Sequence, residues 1–171
     1  MTMQYDVKQA HLDQSGVMVP YPTRVKALSF TGGGAAGFVT LFDTTNVPVS
    51  ASVTYGRSGA TVTVTKTAHG LSTGDIIGIH FEAGTGGAAT DGTYTITRTG
   101  ADTFTLTDIN TGTITATPAA VYAVGKWLIT YESTAGDSFF NGFLIPGEGV
   151  RVLYGVYAYF TGLSAANIYY G

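Results

Sequence analysis

Thr61-Val62-Thr63-Val64-Thr65-Lys66-Thr67 alternates strictly between threonine and a larger side chain. The alternation returns at Thr93-Tyr94-Thr95-Ile96-Thr97-Arg98-Thr99 and again at Thr103-Phe104-Thr105-Leu106-Thr107. A period of two sends successive side chains to opposite faces of a strand. These runs are therefore half-buried β-strands that keep a threonine face toward water. Between the first two lies Ala68-His69-Gly70-Leu71-Ser72-Thr73-Gly74-Asp75, a turn-rich segment, followed by the apolar run Ile76 to Phe81.

Outward from this block the texture changes. Upstream, Arg24 to Phe30, Gly37 to Phe42 and Val47 to Val53 read as strands, the first two separated by Thr31-Gly32-Gly33-Gly34. Downstream of Pro118 the composition turns aromatic and aliphatic: Lys126 to Tyr131, Phe139 to Ile145, Val150 to Phe160 and Asn167 to Tyr170. Pro146-Gly147-Glu148-Gly149 carries the residues of a tight turn, with proline presetting φ and glycine accepting φ > 0. Val150 to Phe160 reads as one strand. Val150, Val152, Tyr154, Val156, Ala158 and Phe160 share one face, and Arg151, Leu153, Tyr157 and Tyr159 the other. Apolar bulk on both faces implies cover on both sides, by this chain or by a neighbour. No long amphipathic helical pattern follows residue 20.

The expected fold is all-β. A sandwich or barrel-like host domain, residues 21–51 and 119–171, is interrupted by a small inserted β-barrel, residues 52–118. Residues 1–20 are expected to form an extended N-terminal arm. Pro20 and Pro22 bias Val19 and Tyr21 toward extended backbone, and a short helix over Gln4 to Leu12 would be marginal alone. A solvated terminus and a docking arm are both open readings. Tyr5, Val7, Leu12, Val17, Met18 and Val19 carry more apolar surface than a solvating tail needs. With Leu153, Tyr157 and Tyr159 they form the candidate partner-binding set.

Only 11% of the 171 residues are charged, against about 25% in an ordinary soluble domain. The surface is thus mostly neutral and polar, with few like charges to hold copies apart. A net charge of −3 with scattered Lys and Arg argues against nucleic acid, Arg24 and Lys26 being the nearest approach to a basic group. Zero cysteines exclude disulfides, thiolate zinc sites and cysteine nucleophiles. No apolar run nears the roughly 18 residues needed to span a bilayer, and Met1 to Gly16 lacks the regions of a signal peptide. Synthesis in a cytosol is expected, with no membrane partner.

Catalytic patterns are weak. His69, Ser72 and Asp75 lie in one turn, whereas hydrolytic triads are assembled from distant segments. Glu82 to Gly92 is glycine-rich but has neither the Lys-Ser/Thr ending nor the following helix of a phosphate loop. The three histidines lack metal-ligand spacing, and Asp91, Asp102 and Asp108 lack that of a calcium loop. Trp127 with Tyr122 and Tyr131 could stack on a sugar ring, although a lone Trp in an apolar strand is more often core. Glu132, Asp137 and Glu148 are available carboxylates near turns. No enzyme activity, cofactor or metal is expected.

Two resemblances add to this reading. The run Thr61-Val62-Thr63-Val64, Ala68 to Asp75 ("AHGLSTGD"), Asp91 to Ile96 ("DGTYTI") and Asp102 to Leu106 ("DTFTL") resembles a small β-barrel module. That module is named after the first catalytic cysteine half-domain of ubiquitin-activating enzymes and recurs in tailed-phage virion proteins. The resemblance implies a fold and no activity. The host segments "AGFVTLFD" (Ala36 to Asp43), "IPGEGVRV" (Ile145 to Val152), "GVYAYF" (Gly155 to Phe160) and the final "IYYG" resemble small structural proteins of tailed bacteriophages. The inserted module is where this chain departs from the shortest of them. The resemblance implies a virion protein, in first place a capsid decoration (cement) protein on the outer face of the major capsid protein lattice. Neighbouring copies or a homo-oligomer would be further partners. A tail or fibre component with a glycan-recognising β-module is the alternative.

Overall fold

The computed structural model describes residues 7–45, 49–115, 118–135 and 140–171. The expectations that involve Tyr5, Val47, Thr117, Asp137 and Phe139 lie outside the described residues at those positions. Every described element is a strand, and the all-β class stands. In chain order the strands are β1 (Lys8–Leu12), β2 (Gly16–Val19), β3 (Thr23–Gly32), β4 (Gly37–Asp43), β5 (Val49–Ser58), β6 (Thr61–Thr65), β7 (Ile76–Phe81) and β8 (Gly92–Thr95). Then come β9 (Thr97–Arg98), β10 (Thr103–Thr107), β11 (Ala119–Val124), β12 (Lys126–Ser133), β13 (Phe140–Leu144), β14 (Val150–Val152), β15 (Val156–Thr161) and β16 (Leu163–Tyr170).

The chain divides into two compact units, Met1–Val47 with Leu128–Gly171, and Pro48–Trp127. The division falls a few residues outside the 52–118 expected from composition. The reason is β11, which is apolar like the flanking segments but pairs with β5 and β7 of the second unit.

The second unit is a seven-stranded antiparallel sheet in the order β8-β7-β11-β5-β6-β10-β9. Its two end strands are consecutive in the chain, separated by Ile96 alone. The Ile96 N–H donates to Asp75 O (3.0 Å) and the Gly74 N–H to Ile96 O (2.9 Å). One bent segment thus pairs with β7 through its first half and with β10 through its second, so the sheet returns on itself as a nearly closed barrel. In β6 the threonines face out while Val62 and Val64 are buried. They meet Tyr55, Ile77, Ile79, Phe81, Phe104 and Tyr122 in one core. The period-two argument and the burial agree residue by residue here.

The first unit pairs two sheets about a single core. One runs β1-β16-β3-β13, with β14 also on β3, and the other β12-β4-β15-β2. Val25, Leu28, Phe30, Ala166 and Ile168 from the first meet Val39, Leu41, Val156, Ala158 and Phe160 from the second. Where the turn after β3 crosses the β15–β16 turn, backbone lies on backbone. The Gly33 N–H donates to Gly162 O (3.0 Å), and a Cβ on Gly37 would sit 2.1 Å from Thr161 O. Glycine is required there by space.

Two expectations are corrected. Residues 8–19 are no free arm: β1 pairs with β16 and β2 with β15, and Met18 and Val19 are buried in the core. Their short apolar runs find neighbours 137 or more positions away, which no local pattern reveals. Nor is Val150 to Phe160 one strand. β14 belongs to one sheet and β15 to the other, and Leu153-Tyr154-Gly155 forms the corner between them.

That corner is held by Asp43. Its buried carboxylate accepts the N–H groups of Leu153 (2.9 Å), Tyr154 (2.8 Å) and Gly155 (3.4 Å), while the Thr44 N–H donates to Gly155 O (2.9 Å). A strand that changes sheets loses its ladder partners, and one carboxylate replaces three of them. Bonds to a charged acceptor contribute more than neutral ones, and removing it leaves the donors unpaired. Asp43→Ala should therefore lower the unfolding free energy by about 3 kcal/mol. Urea denaturation of both proteins measures this; a loss under about 1 kcal/mol would show that water replaces the carboxylate.

Candidate functional site

The first unit carries a cleft of about 420 Å³ lined by Lys8, Tyr21, Pro22, Thr23, Arg24, Tyr170 and Gly171. Sheet register assembles it. β1 places Lys8 opposite Tyr170 of β16, β16 lies against β3, and β14 places Arg151 directly opposite Arg24. The Tyr21 and Tyr170 hydroxyls are hydrogen-bonded at 3.2 Å, with the rings edge-to-face at 6.3 Å between centroids. The bond with Tyr21 pushes the Tyr170 phenol above its ordinary value, with burial and the Tyr21 charge adding to it. Arg24 Nη2 lies 3.1 Å from Glu148 Oε2 on the exposed turn before β14.

The nine candidate partner-binding residues are not brought to one surface. Met18 and Val19 are core, Tyr157 is buried opposite Phe42, and Tyr159 is half-buried beside Phe38. Leu12 packs on the core. Val7, Val17 and Leu153 stay exposed, and Tyr5 lies outside the described residues. Two exposed apolar residues, Leu153 and Tyr154, are adjacent at the corner. Thr23 pairs with Val152 and Val19 with Val156, so the intervening Pro20-Tyr21-Pro22 faces the corner Leu153-Tyr154-Gly155. Tyr21 (45%), Leu153 (37%) and Tyr154 (61%) are accessible there. Tyr154 was expected to share a face with Val156; Val156 is buried, whereas the corner turns Tyr154 outward.

The sugar-stacking trio does not assemble either. Tyr122 is sealed in the barrel core, burial pushes its phenol up to about 12, and Tyr131 packs against Phe30 in the other unit. Trp127 is half-buried.

The polar groups of the barrel are engaged with one another. Arg57 and Asp108 form a buried ion pair, and Asp108 also accepts the N–H groups of Thr90 (3.3 Å) and Asn110 (3.2 Å). His80 Nδ1 lies 2.7 Å from Asp91 Oδ2, and Asp91 Oδ1 accepts the Phe81 N–H at 2.9 Å. Burial pushes the Tyr94 phenol up to about 12, with the Asp108 and Asp91 charges adding, and its hydroxyl donates to Thr90 O (2.6 Å). These bonds tie the glycine-rich Glu82 to Gly92 loop onto the barrel wall. His80 is almost wholly covered, which leaves no approach for a substrate. Asp102 accepts the Ala68 N–H (2.7 Å), so Asp91, Asp102 and Asp108 each serve a different segment. His69 is fixed similarly. Its Nδ1 accepts the Leu71 N–H (3.0 Å), which leaves Nε2 as the donor to Gly100 O (3.2 Å). Among the described residues no group of three or more His, Cys, Asp or Glu side chains could hold a metal ion. Among them, too, no helix is long and apolar enough to cross a membrane.

Comparison with protein-family models, curated proteins and solved structures finds no match for this chain.

Burial alone would raise the Asp108 carboxyl, but hydrogen bonds from Thr90, Arg57 and Asn110 outweigh it and hold the group below its ordinary value. A carboxyl lowered in the folded state adds stability above its unfolded value, about 3.9. That stability is lost as pH falls through the lower folded value. Asp108→Asn leaves Arg57 buried without a counter-charge and should cost about 3–5 kcal/mol at neutral pH. The gap to wild type should close in acid. Denaturation across pH 7 to about 2 measures it; a pH-independent gap would contradict the ion-pair account.

Proposed function

We propose that this chain is a virion structural protein of a tailed bacteriophage, a capsid decoration (cement) protein on the outer face of the major capsid protein lattice. It stabilises the shell by burying surface between lattice neighbours, and the role requires no cofactor and no bond-making chemistry. The observation that carries the reading is the contrast between the two units. The barrel is nearly closed, one segment serving both its end strands, whereas among the described residues the paired sheets of the first unit end in β1, β13, β12 and β2, and Leu153 and Tyr154 are exposed at the corner. Open edges and clustered apolar side chains are what a subunit offers a neighbour. The low charge of the chain and its resemblance to phage structural proteins support the same role.

A truncation of residues 1–19 is a poor test, since it removes β1 and β2 and part of the core. The corner is the better target. Leu153→Ser with Tyr154→Ser should leave the melting temperature within a few degrees. Binding to shells of the encoding phage should weaken by roughly tenfold or more, because central apolar anchors dominate interfaces. Co-sedimentation with purified shells reads this out. A folded wild-type chain that fails to bind such shells would refute the proposal, and full binding by the double variant would move the contact elsewhere.

A further inference from the structure

Lys8 on β1 and Arg24 on β3 line the cleft of the first unit, and Arg151 on β14 lies beside Arg24 across the ladder. Arg24 and Arg151 are directly opposite across the ladder, and like charges so placed repel. Among the described residues one ion pair offsets them, that of Arg24 with Glu148, whose side chain is 83% exposed. An exposed pair of that kind contributes little and opens readily. The Arg24 guanidinium can therefore exchange Glu148 for an incoming anion, with Lys8 also on the lining of the cleft.

The walls narrow the choice. Tyr21, Tyr170 and Pro22 supply ring surface to the lining, and Thr23 and the two linked phenols supply hydroxyls. The volume of about 420 Å³ falls in the range of small-ligand sites. A guanidinium fork matches a carboxylate with two parallel hydrogen bonds. The C–H face of a pyranose lies well on tyrosine rings, while its hydroxyls meet theirs. We propose that this cleft binds a carboxylated pyranose sugar, with its carboxylate on Arg24 and its ring against Tyr21 and Tyr170. Glu148 occupies the same guanidinium when the sugar is absent. The site is distinct from the Leu153–Tyr154 corner, and it stands whether or not the chain binds a capsid.

The test is an NMR titration of the labelled full chain with methyl glucuronoside, methyl glucoside, inorganic phosphate and a short polyglutamate peptide. The glucuronoside should shift the amides of Thr23, Arg24 and Tyr170 and saturate in the millimolar range, while the glucoside and phosphate bind at least about tenfold more weakly. Arg24→Gln and Tyr21→Ala should each weaken the glucuronoside roughly tenfold, the first by removing a charge-assisted pair, with the chain still folded by its amide spectrum although Tyr21→Ala loses the bond to Tyr170. Glu148→Gln should tighten it by removing the internal competitor. No shift by about 10 mM glucuronoside, or an equal response to phosphate, would overturn the proposal. So would polyglutamate binding more tightly at the same residues, which would make the cleft a peptide site.

Discussion

A strand at the edge of a sheet has backbone donors and acceptors without a ladder partner, and every β-protein must close that edge, cover it or lend it to another chain. The two units of this chain meet the constraint in opposite ways. In Pro48–Trp127 the segment Gly92 to Arg98 bends at the buried Ile96 and serves both ends of one sheet. The first unit cannot do the same, because its chain changes sheets at Leu153-Tyr154-Gly155 and fastens that change to Asp43. Its sheets therefore stay separate, one of five strands and one of four. The same corner that keeps them apart also turns Tyr154 out to solvent.

Much of the fold was legible in the sequence wherever a period of two sufficed. β6 and β10 follow the threonine alternation, with Val62, Val64, Phe104 and Leu106 inside. The Pro146 to Gly149 turn likewise precedes a strand. What escaped depends on partners far along the chain. Composition shows that β11 is buried but not which sheet buries it. The apolar residues of β2 gave no sign that β15 would cover them. Alternation through Val150 to Phe160 continues unbroken across the corner, since Leu153 and Tyr154 preserve the pattern while the backbone leaves it. Asp43 merely ends a strand, and nothing nearby in sequence announces the three amides it accepts.

The cleft was less legible still. Arg24 and Lys26 stood out as the closest basic pair, and the final tyrosines as a motif, but the hydrogen-bonded phenols are 149 positions apart. Only strand register brings them together. The groups that looked most chemical in sequence are instead committed internally. His69, Asp75, Asp91, Asp102 and Asp108 each hold a loop or a strand end of the barrel. The barrel thus uses these polar groups on its own loops, whereas the first unit leaves Leu153 and Tyr154 exposed at its corner.

For the proposed capsid role the most direct measurement is a density map of intact phage particles that would carry this chain, with its abundance measured against the major capsid protein. The account predicts a fixed ratio to the lattice and density on the outer shell, contacting it through the sheet edges and corner of the first unit. Absence from intact particles, or density confined to the tail at low copy, would contradict it.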